Sequence, residues 1–318
     1  MQKMNVTGIL KNARIPRRKS LRKLGCLYPG IVEATPVVWK GRLLRFEWDR
    51  PGKWLGDPAD YPHGYYRFVD AETWETTPQF APGHAFGCCY TAGGKMYAYG
   101  PKEPVGETHG IDMFVSSDLK TWEMQEDIIR FPEDISVFNT SVCAYPDGYM
   151  MAIEIGGKNP VVGVPFTIVF AKSPDLLHWE LLPMEEYVYA QDRYTACPVI
   201  RWHDGQFYMI YLEGAPCHRW IPYIVRSADL KEYELGLVNP IMYPSDEDKY
   251  IIAPERLSAR DIDRIENAVN TNNSDIDLCE FGGKTVITYS WGNQLGHEFL
   301  ALAEYDGSEE EFLKSFFA

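Results

Sequence analysis

The sequence lacks the features of a membrane-spanning or nucleic-acid-binding protein. No window approaches the roughly 18 consecutive apolar residues of a membrane span. Positive charge is scarce: 31 Lys and Arg against 45 Asp and Glu give a net charge of −14, which disfavours nucleic acid or an anionic membrane as the main partner. No apolar run follows the basic segment 11–23, so we expect no signal peptide. We interpret residues 1–29 as a basic N-terminal arm and expect a soluble, cytoplasmic protein.

Two further signals are weak or missing. The seven cysteines are odd in number and include no Cys-x-x-Cys pair, so we expect buried, reduced thiols that pack as small apolar side chains. Helix signals are confined to one clear segment, 258–269, which opens with Ser258 as a potential cap and has an acidic first turn. The chain is therefore expected to be mostly β-structure.

A repeated signature is the strongest positive feature of the sequence. The pattern Ser-x-Asp-Leu-x-x-aromatic-Glu recurs roughly every fifty residues. Its copies are "SSDLKTWE" at 116–123, "KSPDLLHWE" at 172–180 and "RSADLKEYE" at 226–234, with a weaker "FVDAETWE" at 68–75. Ser and Asp side chains can bond to the backbone of a tight turn, and we expect the Leu and the aromatic residue to pack between neighbouring units. We predict a scaffold role for this signature.

Each repeat has the same internal order. A short apolar run is followed by a Gly-bearing turn, a second strand-like run, and a third that leads into the signature; the apolar runs open at 35, 87, 140, 196 and 276. Gly-bearing turns at this spacing indicate antiparallel hairpins. We predict an all-β fold, a single five-bladed β-propeller over residues 30–318, with blades of about four antiparallel strands around a central channel. A β-sandwich would not repeat one signature in five units.

The blade pattern and its closing signature resemble glycoside hydrolase family 43 and its invertase-type, family 117 and family 130 relatives. The resemblance covers nearly the whole chain. It implies an active site in the channel with three carboxylates at the openings of the inner strands. By strand position, Glu33 in "IVEATPVV" takes the place of the family's base. Asn139 takes the place of its second carboxylate, and Tyr194–Thr195 that of its acid.

Glycosidic cleavage requires a protonated acid and an opposing carboxylate. We predict Glu33 as the base, with the acid among Glu213, Asp192 and Asp275. The candidate substrate-binding residues lie at strand ends or in loops, and Trp291 is included because indole rings stack on sugars: His84, Asn139, Glu154, Arg193, His218, Trp291 and His297. We expect no organic cofactor. Asp275 and Asp277 are the candidate oxygen ligands for a calcium-like ion at the channel centre, and both should face the channel or neither.

The predicted activity is that of a glycosidase (O-glycosyl hydrolase), exo-acting and inverting, on an oligosaccharide or a plant or microbial glycan fragment. Two alternatives stay open. A glycoside phosphorylase would need a cationic phosphate pocket, for which Arg193, His218 and Arg219 are the candidates. A non-catalytic carbohydrate-binding propeller would have a channel with neither feature.

Overall fold

The computed structural model describes residues 21–52, 55, 63–217 and 219–317. Five antiparallel sheets form the blades of a five-bladed β-propeller, which confirms the predicted fold class. Blades one and two contain β2 (Ala34–Trp39), β3 (Arg42–Asp49) and β4 (Tyr65–Asp70), then β5 (Cys88–Ala92), β6 (Lys95–Gly100), β7 (Gly110–Ser116) and β8 (Glu123–Arg130). Blade three contains β9 (Ile135–Tyr145), β10 (Gly148–Gly157), β11 (Thr167–Ser173) and β12 (Glu180–Leu181), and β13 (Val188–Tyr189) also pairs with β11.

Blade four contains β14 (Thr195–His203), β15 (Gln206–Ala215), β16 (Arg219–Ser227) and β17 (Glu234–Leu235). Blade five is built from both parts of the chain: β18 (Asn272–Phe281), β19 (Lys284–Gly292), β20 (Glu298–Tyr305) and β1 (Arg22–Pro29). Two 3-10 helices (Asp246–Lys249 and Pro254–Arg256) and helix α1 (Ala259–Glu266) lie in the connector to blade five, and α2 (Glu309–Lys314) follows it.

Strand β1 closes the ring of blades. It pairs antiparallel with β20, in a register that places Arg22 opposite Glu304 and Tyr28 opposite Leu300. This corrects one boundary of the sequence analysis, because residues 22–29 of the expected arm form the outer strand of blade five. The basic, Gly-containing stretch "RKLGCLYP" did not show a strand pattern in isolation.

The repeated signature forms the same turn at each strong copy. The Ser116 hydroxyl accepts the backbone N–H groups of Asp118 and Leu119, and an Asp118 carboxylate oxygen accepts those of Lys120 and Thr121. The equivalent bonds recur in the copies that begin at Ser173 and Ser227. The leucine adopts a left-handed backbone, with φ of 62° at Leu119, so the turn's hydrogen bonds compensate a conformation that leucine rarely adopts.

The leucine and the aromatic residue of the signature pack between blades, as predicted. Leu176 belongs to an apolar cluster shared by blades two and three, and its carbonyl accepts hydrogen bonds from Tyr99 and from the Trp179 indole, both at 3.0 Å. In the preceding copy, Trp122 stacks on Phe80 with ring centroids 3.8 Å apart. The signature is thus a connection between blades and lies away from the channel.

Apolar clusters fill the interfaces between successive blades, and the smallest lies where blade five meets blade one: Leu27, Ile31, Ala34 and Leu300. At this interface, buried charged residues make contacts that apolar side chains make at the other interfaces. The fully buried Glu47 accepts hydrogen bonds from Arg45 and from Arg67, each at 3.1 Å, and from the Tyr28 hydroxyl of β1. Because these groups bond one another, the buried charges are compensated.

Two smaller predictions are confirmed. Ser258 caps α1, since its hydroxyl accepts the N–H of Asp261. The cysteines in the described part of the chain are unpaired thiols, and burial raises the pKa of Cys88 and of Cys143 to about 12. Cys217 differs from the expectation because it is exposed. None of the helices in the described ranges has the length and apolar character needed to cross a membrane.

Candidate active site

The inner strands β2, β5, β9, β14 and β18 surround the channel, and a cavity of about 220 Å³ lies where they begin. We call it the site cavity. Three carboxylates line it, from blades one, three and five: Glu33, Glu154 and Asp275. Asn139, Cys197 and Gln294 supply its other polar side chains. The structure therefore brings together residues that are far apart in the sequence.

Aromatic rings form one wall of the site cavity. Phe86, Phe138, Phe166, Tyr194 and Trp220 contact one another in sequence, with successive ring centroids 5.9, 4.9, 5.4 and 6.3 Å apart. Most of these contacts are edge-to-face, the arrangement that aromatic quadrupoles favour. The wall gives the cavity an apolar side.

Glu154, on β10, is the acidic residue with the best-defined partners. One of its carboxylate oxygens accepts a hydrogen bond from the Asn139 side-chain amide at 3.0 Å and another from the backbone N–H of Cys197 at 2.8 Å. Burial, assisted by the nearby charge of Asp275, raises the pKa of Glu154 to about 7, although both hydrogen bonds act in the opposite direction. Glu154 can therefore hold or release a proton near neutral pH.

Asp275 lies at an irregularity of β18. The register with β19 shifts between Ser274 and Asp277, and Asp275 has a φ of 47°. Such a bulge re-aims a side chain, and here the carboxyl group faces the site cavity. Burial raises the pKa of Asp275, while hydrogen bonds from Ser274, Cys197 and Gln294 favour its ionised form.

Glu298, at the start of β20, is a fourth buried carboxyl that the sequence analysis missed. It accepts the backbone N–H of Gln294, whose side-chain amide donates to the Ser274 hydroxyl at 2.7 Å. Burial, together with the charges of Asp275 and Glu33, raises the pKa of Glu298 well above its usual range. The sequence signal that could have identified Glu298 is its place as an acidic residue at the start of the apolar run "EFLALA".

The channel narrows below the site cavity. A neck of about 30 Å³ is lined by Glu33, Asn139, Cys197, Asp275 and Asp277, so both aspartates of β18 face the channel. Past the neck is a second cavity of about 360 Å³, the opposite cavity.

Arg201 occupies the wall of the opposite cavity. It donates to Asp277 at 2.6 Å and forms an ion pair of 3.3 Å with Glu309, so Asp277 already has a cationic partner. Among the residues that the structure describes, no group of three or more His, Cys, Asp or Glu side chains is arranged to hold a metal ion.

Three further candidates form an ion-paired group beside blade four. Arg193 contacts Glu213 at 3.2 Å, Asp192 at 3.0 Å and the Tyr189 hydroxyl at 2.9 Å. Arg193, Glu213 and Asp192 do not line the site cavity. The residue of β15 that lines it is Leu212, which precedes Glu213. Burial raises the pKa of Glu213, and Arg193 partly offsets this effect.

The other candidates also lie outside the cavity lining. His84 is buried and bonds Asp112 at 2.9 Å. Trp291 is fully buried and stacks on Phe299 with centroids 4.3 Å apart, so its ring packs in the core. His297 is exposed and forms an isolated bridge with Leu55. His218 lies outside the described residues.

No protein-family model and no curated protein matches the sequence. Solved structures do match. A complex named for BT0996 and RGII is 14% identical, with 95% of this sequence and 96% of that protein covered at a TM-score of 0.65. A structure named "Glycoside hydrolase" is 13% identical over 97% of each protein, with a TM-score of 0.64. A thermostable family-43 glycoside hydrolase is 12% identical over 90% of this sequence and 92% of that protein, with a TM-score of 0.61.

The chain shares the fold of glycoside hydrolases. At these identities the likeness establishes the five-bladed propeller, and it confirms at that level the resemblance to family 43 found in the sequence. Of the positions that the resemblance assigned to the channel, Glu33, Asn139 and Tyr194 line the site cavity, whereas Thr195 is fully buried.

Proposed function

We propose that the chain is a glycoside hydrolase that releases the terminal sugar residue of a glycan. The observation that supports this most is the convergence of Glu33, Glu154 and Asp275 on one cavity with an aromatic wall. Paired carboxyl groups supply the acid and base of glycosidic cleavage, and aromatic rings offer a surface on which the apolar face of a sugar can stack.

We assign the general acid to Glu154 and the base to Glu33. A general acid works best when its pKa lies near the working pH, and that of Glu154 is raised to about 7. Glu154 lines the site cavity but not the neck, whereas Glu33 lines both, so we place the leaving group on the side of Glu154, away from the neck. Asp275 is then the third carboxyl, whose charge helps to keep the acid protonated. This assignment moves Glu154 from substrate binding to catalysis.

The shape of the channel supports exo-action. The neck encloses about 30 Å³ against about 220 Å³ in the site cavity, so we expect a glycan to enter the site cavity with its terminal residue. We also propose inversion, because Glu33 and Glu154 belong to blades one and three, which are not neighbours in the ring; such a separation favours room for a water molecule between acid and base. Proton NMR of the first-formed anomer tests this proposal.

Phosphorolysis has less support from the site. Among the described residues, no Lys, Arg or His lines the site cavity or the neck, so the cationic pocket that phosphate needs is not formed by them. The same lining favours a neutral sugar over a uronic acid. A purely binding role has less support, because buried carboxyl groups with raised pKa values are typical of catalytic sites.

The test is turnover of a panel of neutral aryl glycosides by the wild type and by Glu33→Gln and Glu154→Gln. Each variant should lose roughly 10²–10⁴-fold in kcat/KM, and Glu154→Gln should lose least on dinitrophenyl glycosides, whose leaving group needs no proton. Glu180→Gln, at an exposed ion pair with Lys172, is the matched control and should keep full activity. Turnover that depends on added phosphate, or sugar binding without any turnover, would overturn the proposal.

A further inference from the structure

Cys197 is a cysteine at the centre of the acidic groups of the channel. It lines both the site cavity and the neck. The inner strand β14 is irregular there: its register with β15 shifts between Ala196 and Val199, and Cys197 has a φ of 48°. A left-handed backbone is uncommon for a residue with a side chain, and such strain is often retained at functional sites.

The contacts of Cys197 reach two carboxyl groups. Its backbone N–H donates to Glu154 at 2.8 Å. Its sulfur accepts from the Asn139 amide at 3.5 Å. Its thiol lines the same cavity and neck as the Asp275 carboxyl group, whose pKa it lowers as a donor. Asn139 in turn donates to the same oxygen of Glu154 at 3.0 Å. Asp275 and Glu154 are thus held by one residue, with Asn139 bonded to both the thiol and Glu154.

We propose that Cys197 is a positioning residue that couples Asp275 to Glu154: its thiol stabilises the Asp275 carboxylate, and its backbone N–H fixes the Glu154 carboxyl group beside it. The inference rests on the proposed function, because it concerns the acid assigned there. Cys197 itself is not the nucleophile. Burial and the adjacent charges of Asp275 and Glu154 raise the pKa of its thiol well above the usual range, so it stays a neutral donor.

The direction of the effect follows from the groups that face one another here. Glu33, Glu154, Asp275 and Glu298 are acidic, Tyr194 is neutral, and no basic side chain of the described residues lines the cavity. Two interacting carboxyl groups in such a place share a proton. The thiol bond favours ionised Asp275, which keeps the proton on Glu154. Without that bond the proton moves toward Asp275, and Glu154 loses its acidic form at a lower pH.

Three variants test the coupling. Cys197→Gly removes the thiol, keeps the backbone N–H and relieves the left-handed backbone, so it should fold. Cys197→Ser keeps a donor in the same place. Cys217→Gly is the matched control, since Cys217 also has a left-handed backbone, with φ of 68°, but is exposed. Urea unfolding confirms that each variant is folded before it is titrated.

The measurement is the 13C shift of the Glu154 side-chain carboxyl against pH, assigned by its loss in Glu154→Gln. In Cys197→Gly the midpoint should fall by roughly one pH unit, the equivalent of one lost hydrogen bond to a charged group. Cys197→Ser and Cys217→Gly should titrate as the wild type does. The basic limb of the pH–activity profile should move with the carboxyl midpoint.

An unchanged midpoint in Cys197→Gly, or an equal fall in Cys197→Ser, overturns the coupling. The titration needs no substrate, so it separates this inference from the proposed function. The expected shift in a protein that hydrolyses no aryl glycoside would support the coupling and reject the hydrolase. Hydrolysis of an aryl glycoside without a shift of the Glu154 midpoint would support the hydrolase and reject the coupling.

Discussion

The two cavities of the channel are built by the same inner strands but treat charge in opposite ways. Asp275 and Asp277 lie on one strand, β18, and line the same neck. Asp275 faces the site cavity, where burial raises its pKa, and its neighbours are carboxyl groups and aromatic rings. Asp277 faces the opposite cavity and is ion-paired with Arg201.

This difference indicates where the fold can perform chemistry. At the opposite cavity Arg201 forms ion pairs with both Asp277 and Glu309, which makes a structural ion-pair group. At the site cavity the described lining offers no such cation, so burial raises the pKa of Glu154 and of Asp275, and the charge of Asp275 adds to the effect on Glu154. We therefore expect the acids of the site cavity to lower the stability of the fold and the ion pairs of the opposite cavity to raise it.

The largest expected effect is on the opposite cavity. Arg201→Met leaves two largely buried carboxylates, Asp277 and Glu309, without their cation, so the free energy of unfolding should fall by about 3–5 kcal/mol. Urea unfolding measures it. Lys172→Met, at the exposed pair with Glu180, is the control and should change stability by less than about 1 kcal/mol. If Arg201→Met were as stable as the wild type, the ion pairs of Arg201 would have no structural role.

The pH dependence of stability should have opposite signs for the two cavities. The pKa of Glu154 is about 7 in the folded chain against 4.5 as its usual value, so the folded state binds the extra proton. Stability from this group is therefore greatest below pH 4.5 and declines by about 3 kcal/mol as the pH rises to 7. Glu154→Gln should flatten that decline in urea unfolding between pH 5 and pH 7.5.

Glu309 provides the opposite case. Burial opposes its ionisation, but Arg201 and His203 hold its pKa below the usual value. Its contribution is present above the unfolded pKa and is lost as the pH falls through the folded one. Glu309→Gln should therefore flatten the loss of stability in acid. If Glu154→Gln and Glu309→Gln changed the pH dependence of the free energy of unfolding in the same direction, the contrast between the two cavities would be wrong.

The smallest expected effect is a gain in stability. Asp275→Asn removes one buried acid from a crowded group and keeps its shape, so the free energy of unfolding at pH 7.5 should rise by about 1–2 kcal/mol. Aryl glycoside turnover should fall in the same variant, because Glu154 then loses the charge that helps to keep it protonated. Asp147→Asn, a surface change, serves as the control. A less stable Asp275→Asn protein would show that Asp275 supports the fold.

Local, repeated features could be predicted from the sequence. The turn at Ser116 and Asp118 satisfies its own backbone groups within a few residues, so its recurrence revealed the blades, and the five apolar runs gave their number. The cap of α1 by Ser258 is local in the same way. Ring closure by β1 could not be predicted, because its partner β20 lies at the other end of the described chain.

The site was harder because it depends on irregular strands. Glu154 and Glu213 occupy similar places in their blades, yet Glu154 faces the site cavity and Glu213 faces Arg193. Both blades carry a register shift at this level: the pairing of β10 with β9 shifts between Ile153 and Ile155, and that of β14 with β15 shifts between Ala196 and Val199. Glu154 lies within its shift, whereas Glu213 lies just beyond the shift of its blade and pairs with Thr195 and Ile221. A shift of one residue exchanges the two faces of a strand, and the sequence carries no clear signal for it.

The pairing of β1 with β20 also sets an order of events during synthesis. Arg22 emerges from the ribosome among the first described residues, but its partner Glu304 is 282 positions later. Blades two to four can form as they appear, because each is continuous in the chain. Blade five, and with it the buried Glu47 group that Tyr28 completes, cannot form before β20 has been synthesised, so the nascent chain carries an unpaired strand edge until then.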